Sequence, residues 1–257
     1  HVPPMMVMTT YMETVSDPSY AAVNGEDILP DLAMGRLPAS SVEELEKLIA
    51  KIVAWEIEVG TLDCRAVVVT DNPDEAGDFV TNAEQIASTV LSDNEPKKIY
   101  LSHLGTAATR AEIQQAFDTG ASLMSYIGHG GIHLWANENI WNVKNVSSLA
   151  PQSEQPLLLT LNCLNGYFHY PYINALAEEM LKAEGKGSIA SFSPSGMSLN
   201  DAAHVFHRAL LKALLEGGHE RLGDAVLEAQ AAYAESGAFP ELLSIYHLLG
   251  DPALKLK

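Results

Sequence analysis

Apolar and polar positions along this chain form blocks whose spacing predicts strands and helices in alternation. Short apolar runs bounded by Gly, Asn or Asp are typical of buried parallel strands, and apolar residues at three- and four-residue spacing are typical of helices. The pattern predicts strands in the runs that begin at Ala66, Lys98, Leu123, Pro156, Ser188 and Ala253. It predicts helices from Ser40 or Ser41 to about Gly60 and over about 79–91, 108–117, 172–184, 200–216 and 221–235. Such alternation indicates an α/β fold, a mostly parallel sheet with helices on both faces.

Two of the predicted strands end in residues that can carry chemistry. The run from Leu123 breaks at the Gly-flanked His129, and the run from Pro156 breaks at Cys163. Because ligands bind beyond the carboxyl ends of strands in open α/β sheets, we expect the imidazole and the thiol to face one cleft. A cysteine nucleophile with a histidine base requires this pair. The alternative is that both residues are structural, which is common for a lone buried Cys or His.

The charge balance narrows the classes of partner. Acidic residues outnumber basic ones 33 to 15, for a net charge of −18. Nucleic acid binding is disfavoured, because phosphate contacts need clustered Lys and Arg. We attribute the acidic excess to solubility rather than to attraction of cationic substrates. No apolar run is long enough to span a bilayer.

The cysteine count and the first residue add two expectations. The two cysteines, Cys64 and Cys163, cannot form a disulfide framework. Cys64 follows a predicted helix end without a histidine partner, so we expect Cys163 to be the reactive thiol. The chain begins at His1 rather than at Met, and we therefore expect a fragment or a processed form.

Several ordered motifs resemble those of one enzyme family. The segments 126–130 (YIGHG) and 161–166 (LNCLNG) resemble the histidine and cysteine motifs of the gingipain-like (C25) cysteine peptidases, within the caspase–legumain group. Further segments resemble that family in the same order: 31–37 (DLAMGRL), 51–56 (KIVAWE), 189–191 (IAS) and 249–254 (LGDPAL). The resemblance implies a caspase-like three-layer sandwich over 61–257, preceded over 1–60 by the remnant of an N-terminal subdomain and a linking helix.

The same resemblance assigns the chemistry. It implies a cysteine endopeptidase in which Cys163 is the nucleophile and His129 is the acid/base. The amides of Gly130 and Cys163 are then the oxyanion donors. Thiolate attack on a peptide carbonyl gives a tetrahedral oxyanion and then a thioester, which water hydrolyses.

A third catalytic carboxylate and a substrate pocket are also implied. Asp71 matches the family's acidic residue after the first strand, although it also fits a simple turn in Asp-Asn-Pro-Asp. Asp78 is the nearest match in sequence position to the pocket carboxylate of Arg-specific members, and this match implies a basic P1 residue. Alternatively, Asp78 is only a negative charge at a helix N-terminus. Asp201 is a second source of pocket charge, and Met197 stands where the family has a capping aromatic. Trp135 could line a substrate wall or cover the sheet edge.

The family resemblance implies no required cofactor. Calcium sites occur among its members, but no acidic loop of this chain has a diagnostic spacing. It also implies a peptide or protein substrate, a pro-segment or missing N-terminal subdomain, and secretion to the surface or surroundings of a bacterium.

Other functions stay open at this point. A non-catalytic surface or assembly module would keep the fold, but it would need neither His129 nor Cys163. A transpeptidase would resolve the same thioester with an amine, and the sequence does not separate it from a hydrolase. A zinc site at His129 and His133 is disfavoured, because Gly130 and Gly131 break the helix that this spacing needs. A phosphate loop is disfavoured because the Lys-Ser/Thr of such loops is missing.

Overall fold

The computed structural model describes residues 2–58 and 65–256, so Cys64 lies outside the described residues. The strands are β1 (Met6–Met8), β2 (Glu13–Val15), β3 (Ala66–Thr70), β4 (Lys97–Tyr100), β5 (Leu123–Ile127), β6 (Gly130–Gly131), β7 (Leu134–Trp135), β8 (Trp141–Asn142), β9 (Leu157–Leu161), β10 (Ala190–Pro194) and β11 (Tyr246–Leu249). The helices are α1 (Pro18–Ala21), α2 (Val42–Glu58), α3 (Phe79–Ser88), α4 (Leu101–Leu104), α5 (Thr106–Asp118), α6 (Val143–Ser148), α7 (Leu176–Lys182), α8 (Asn200–Glu216), α9 (Leu222–Glu235) and α10 (Leu242–Ile245), with a 3₁₀ turn at Ser92–Asn94.

The central sheet has six strands in the order β11-β10-β9-β5-β3-β4. All neighbours pair in parallel except β10 and β11, which are antiparallel. Every residue of β3, β5 and β9 is buried, as expected for parallel strands covered on both faces. One face packs against α3, α8 and α9, and the other against α5, α6 and α7. The α/β fold with helices on both faces is confirmed.

Helix α2 begins where the sequence predicts. The Ser41 hydroxyl accepts from the Glu44 amide at 3.1 Å, and the Glu44 carboxylate accepts from the Ser40 amide at 2.8 Å. These bonds satisfy amides that the first turn of a helix leaves without partners. The helix buries Leu48, Ile52 and Trp55 along one face.

The C-terminal part differs from the sequence prediction. The run at 253–256 forms a single bridge between Arg221 and Lys255 rather than a strand of the sheet. The edge strand is β11 instead, which the pattern missed because His247 interrupts its apolar run. That imidazole is fully buried and is bonded to the Val15 carbonyl at 3.1 Å and the Ser195 hydroxyl at 3.0 Å, and its burial lowers its pKa to about 4.

Residues before α2 close the outer edge of β11. The Arg36 amide donates to the Leu248 carbonyl at 2.9 Å, and the Gly250 amide donates to the Arg36 carbonyl at 2.8 Å. The Arg36 guanidinium is bonded to both oxygens of Asp17, at 2.5 and 2.7 Å, and lies 4.6 Å from the centre of the Phe168 ring.

The hairpin β1–β2 packs against the loop that follows β10. The Thr14 hydroxyl donates to the Ser195 carbonyl at 2.6 Å, and the Ser195 hydroxyl donates to the Val15 carbonyl at 2.7 Å. The start of the chain therefore supports the loop that reaches the thiol of Cys163. Within the described ranges, the helices are all too short or too polar to cross a bilayer.

Candidate active site

His129 and Cys163 lie on neighbouring loops at the carboxyl edge of the sheet. Strands β5 and β9 pair in parallel with Ile127 opposite Leu161, and each residue stands two positions beyond its strand. A Cβ on Gly130 would lie 2.7 Å from the Cys163 carbonyl oxygen and would also collide with the Asn162 side chain. Only glycine permits this approach of the two loops. The two strand ends therefore lie side by side at this edge of the sheet.

The thiol of Cys163 is held in a strained loop. Leu164 has a φ of +65°, a left-handed conformation that costs a side-chain-bearing residue about 1–2 kcal/mol. The Leu164 amide donates to the Gly196 carbonyl at 3.2 Å, and the Gly166 amide to the Pro194 carbonyl at 2.8 Å. These bonds fasten the loop to the end of β10 and offset the strain.

The surroundings of the Cys163 sulfur favour the protonated thiol. Burial raises the pKa of Cys163, and the Ser198 amide, which donates to Sγ at 3.4 Å, opposes that rise only in part. The Cys163 amide donates to no acceptor in the described part of the chain, which leaves it available to a substrate oxygen. The resting site therefore holds a thiol that needs a base, with an unoccupied amide beside it.

This environment predicts the pH dependence of alkylation. Because the pKa of Cys163 is raised, its thiolate fraction increases at higher pH than for an exposed cysteine, which titrates near about 8.5. We expect the rate of Cys163 alkylation by iodoacetamide, followed by mass spectrometry, to rise through an alkaline range above that of a cysteine peptide. A rate already at its plateau between about pH 5 and 7 would instead indicate a resting thiolate–imidazolium pair.

The His129 ring is held from two sides. Its Nε2 lies 2.7 Å from Asp74 Oδ2, and the ring makes a T-shaped contact with the Phe79 ring at a centroid distance of 5.5 Å. Within the described residues, Nδ1 has no hydrogen-bond partner. The ring therefore presents one nitrogen to a carboxylate and leaves the other available for proton transfer.

The main chain of His129 is fixed by other groups. Its amide donates to Asp71 Oδ2 at 3.1 Å, and its carbonyl accepts from the Tyr126 hydroxyl at 2.7 Å. Asp71 is buried, which raises its pKa, and its other oxygen accepts from the Asn72 amide at 2.7 Å. Asp71 thus supports His129 through its backbone, while the carboxylate at the ring is Asp74. Sequence reasoning missed Asp74, although the Asp-Asn-Pro-Asp turn does place a second carboxylate three residues after Asp71.

Asn165 joins the two loops beneath the site and was also missed. Its side chain is fully buried; Oδ1 accepts from Trp135 Nε1 at 2.7 Å and from Asn162 Nδ2 at 2.5 Å. Its Nδ2 donates to the Gly131 carbonyl at 2.5 Å and to the Leu134 carbonyl at 3.3 Å. The hairpin after His129 and the loop after Cys163 therefore share one buried amide.

Trp135 does not line a substrate wall, which corrects the prediction. It is 0% exposed, stacks on Tyr126 at 4.4 Å between ring centroids, and donates its indole N–H to Asn165. Pairing of β6 with β7 turns its ring into the core. Trp135 supports the His129 loop from below instead.

The three candidate pocket residues lie near the starts of α3 and α8. Asn82 and Asn200 are bonded across these two helices at 3.1 Å, and Gly77 packs against Asn200. Asp78 caps α3: its carboxylate accepts from the Thr81 amide at 3.0 Å and from the Thr81 hydroxyl at 2.6 Å. Its role as a helix cap is thus observed. Asp201 lies in the first turn of α8 and is exposed. Met197, three residues before that helix, is 42% exposed.

No group of three or more His, Cys, Asp or Glu side chains in residues 2–58 and 65–256 is arranged to hold a metal ion. The expectation of structural calcium stays untested.

Comparisons with known proteins show which proteins the chain resembles. The chain is 26% identical over 179 residues to gingipain R2 of Porphyromonas gingivalis strain ATCC BAA-308 / W83, covering 67% of this chain and 24% of that relative. It is 25% identical over 179 residues to gingipain R1 of Porphyromonas gingivalis, covering 67% of this chain and 18% of the relative. The chain thus spans about a quarter or less of the length of these curated relatives.

The fold also matches solved structures. A crystal structure of the Arg-specific cysteine proteinase gingipain R superposes with a TM-score of 0.80 at 20% identity, covering 95% of this chain and 60% of that one. A complex of the pro- and mature domains of Porphyromonas gingivalis RgpB gives a TM-score of 0.77 at 20% identity, covering 93% and 60%. The caspase-like sandwich that the resemblance implied is therefore confirmed. The model of peptidase family C25 matches residues 1–257, the full length of the chain, and the chain belongs to that family.

Proposed function

We propose that this chain is a cysteine endopeptidase with Cys163 as nucleophile and His129 as acid and base. The observation that carries the proposal is the placement of a half-buried thiol and a carboxylate-bound imidazole on touching loops at the carboxyl ends of β5 and β9. Family membership supports the reaction class.

The chemistry follows from the groups at these two loops. Nδ1 of His129 takes the proton from the Cys163 thiol as sulfur attacks the peptide carbonyl carbon. The negative charge that develops on the carbonyl oxygen is stabilised by the amides of Cys163 and Gly130. The imidazolium returns its proton to the leaving amine, and a thioester remains. Water, deprotonated by the same imidazole, hydrolyses the thioester and restores the thiol.

A library of peptides with varied P1 residues tests this function. We expect the purified chain to cleave internal peptide bonds. If no peptide of the library is cleaved in any buffer, the proposal is contradicted and a non-catalytic module is favoured. Addition of an amine acceptor such as hydroxylamine separates hydrolysis from transpeptidation. A product transferred to the amine in preference to water would identify a transpeptidase.

We further propose a basic P1 preference, with Asp78 as the pocket carboxylate and Asp201 as a second source of negative charge. The likeness to a proteinase described as Arg-specific supports it. Both carboxylates are exposed at the starts of neighbouring helices. A carboxylate binds the planar guanidinium of Arg through two parallel hydrogen bonds and Lys through a single point charge, so Arg should be preferred over Lys.

Substitution of Asp78 measures this specificity. We expect Asp78→Asn to lower kcat/KM for Arg at P1 by about 10–100-fold while leaving Ala at P1 within about two-fold, since a charged hydrogen bond contributes about 1.5–3 kcal/mol. Asn keeps an acceptor for the Thr81 amide, so the cap of α3 survives. Asp201→Asn is the matched variant. Equal loss for Arg and Ala would assign Asp78 to the helix alone.

We also propose that the protein acts outside the cytoplasm and is made with a pro-segment. The resemblance to gingipains supports both points, and the RgpB complex contains separate pro- and mature domains.

A further inference from the structure

Two carboxylates contact His129, and each contacts a different part of it. Asp71 accepts from the backbone amide at 3.1 Å, whereas Asp74 lies 2.7 Å from the ring Nε2. Both oxygens of Asp71 are already bonded to amides, of Asn72 and of His129 itself. Within the described residues Asp71 makes no hydrogen bond to the imidazole, and the ring is bonded instead to a residue three positions further along.

Asp74 is itself held firmly although it is exposed. Its Oδ1 accepts from the Ala76 amide at 2.8 Å, and its backbone pairs with Gly77 through bonds of 3.1 and 3.2 Å. Gly77 in turn packs against Asn200, at the start of α8. With Oδ1 held within its own turn, Oδ2 is the oxygen that contacts the ring.

We propose that Asp74 is the positioning residue that fixes the Nε2–H tautomer of His129 and so leaves Nδ1 as the base for the Cys163 thiol. The catalytic part of this inference rests on the proposed function, whereas the tautomer does not. An ionised carboxylate has only acceptor sites, so the ring nitrogen that faces it must carry the proton. The Ala76 amide and the His129 ring both lower the pKa of Asp74, which keeps it ionised.

The proton balance is simple. When Nδ1 accepts the thiol proton, the ring becomes an imidazolium whose Nε2–H still donates to Asp74 Oδ2. The carboxylate stabilises that cation and takes no proton itself. When Nδ1 passes the proton to the leaving amine, the ring returns to the same neutral tautomer. Phe79 restrains the ring plane through each change of charge.

The substitution Asp74→Asn tests the assignment sharply. The Ala76 amide needs an acceptor, so the Asn oxygen stays at that position and its NH₂ group faces His129 Nε2. A donor at this position forces the proton to Nδ1, the wrong tautomer for a base that must serve the thiol. We expect kcat to fall by about 10²–10⁴-fold with KM within about two-fold.

Asp74→Glu restores an acceptor and should recover much of the lost rate. Glu75→Gln removes one charge from the neighbouring exposed position and should leave kcat unchanged.

The tautomer can be read without any substrate. Selective ¹⁵N labelling of the nine histidines, with His129 assigned by its loss in His129→Gln, distinguishes protonated from unprotonated ring nitrogens. We expect the proton on Nε2 in the natural chain, in Asp74→Glu and in Glu75→Gln, and on Nδ1 in Asp74→Asn. Asp71→Asn should keep the proton on Nε2.

The outcomes separate the two proposals. An unchanged tautomer in Asp74→Asn, or a switch in Asp71→Asn instead, overturns the role of Asp74 whatever the activity. A switch in Asp74→Asn in a chain that cleaves no peptide supports the positioning role and contradicts the proposed function. A switch together with the loss of kcat supports both.

Discussion

Replacement of Cys163 by alanine is expected to lower kcat for peptide cleavage by about 10⁴-fold or more, because it removes the thiol that forms the thioester. His129→Ala should lower kcat by a similar factor, since the half-buried thiol has a raised pKa and needs a base. The double variant should be scarcely worse than either single variant, as two residues that act as a unit are not additive. Kinetics on the best peptide of the P1 library measure all three.

Two controls secure this result. Cys64→Ala makes the same substitution at the other cysteine and should keep full activity, with covalent labelling still at Cys163. The thermal midpoint of Cys163→Ala should stay within a few degrees of the natural chain, because a half-buried small side chain is lost. Activity that survives in Cys163→Ala and disappears in Cys64→Ala would reverse the assignment.

Asn165→Ala is expected to weaken both the fold and the site. The substitution removes the partner of two buried donors, Trp135 Nε1 and Asn162 Nδ2, and of two carbonyls. Leaving such groups unpaired costs about 3 kcal/mol in the free energy of unfolding. For a chain of this size that lowers the thermal midpoint by about 6–12 °C. Because the two loops lose their shared anchor, kcat should fall as well, and calorimetry with kinetics checks both.

Two further variants make the Asn165 result specific. Asn165→Asp keeps the size and the acceptor but buries a negative charge beside two carbonyls, so it should destabilise at least as much. Asn137→Ala changes an exposed asparagine near the same hairpin and should leave the midpoint unchanged. A midpoint in Asn165→Ala equal to that of Asn137→Ala would show that the buried amide contributes nothing.

The sequence pattern predicted the sheet well because burial on both faces leaves an unambiguous signal. Strands β3, β5 and β9 are short, fully apolar or nearly so, and bounded by turn residues. Their parallel order then brings His129 and Cys163 to one edge without further information. Strand β11 was not predicted because its buried His247 forms hydrogen bonds to residues 15 and 195, which are far away in the sequence.

The directions of side chains in loops could not be predicted from the sequence pattern. Asp71 and Asp74 share one turn, and only the turn's hydrogen bonds decide which carboxylate reaches the ring. The sequence allowed Trp135 to line a substrate wall or to cover the sheet edge, but pairing of β6 and β7 points the indole at Asn165. The residues that link two loops depend on three-dimensional packing, so their roles do not follow from spacing.

The segment at Arg36 also determines how this sheet can meet other molecules. An open edge strand offers unpaired amides and carbonyls to any extended chain, and this is a common route to sheet extension and aggregation. Here the outer groups of Leu248 and Gly250 are already occupied, and the occupant is anchored by Asp17. At the opposite edge, Lys97 and Lys98 of β4 place charges along the strand. A second copy would first have to displace Arg36, so continuous sheets across β11 are disfavoured and the sheet stays at six strands.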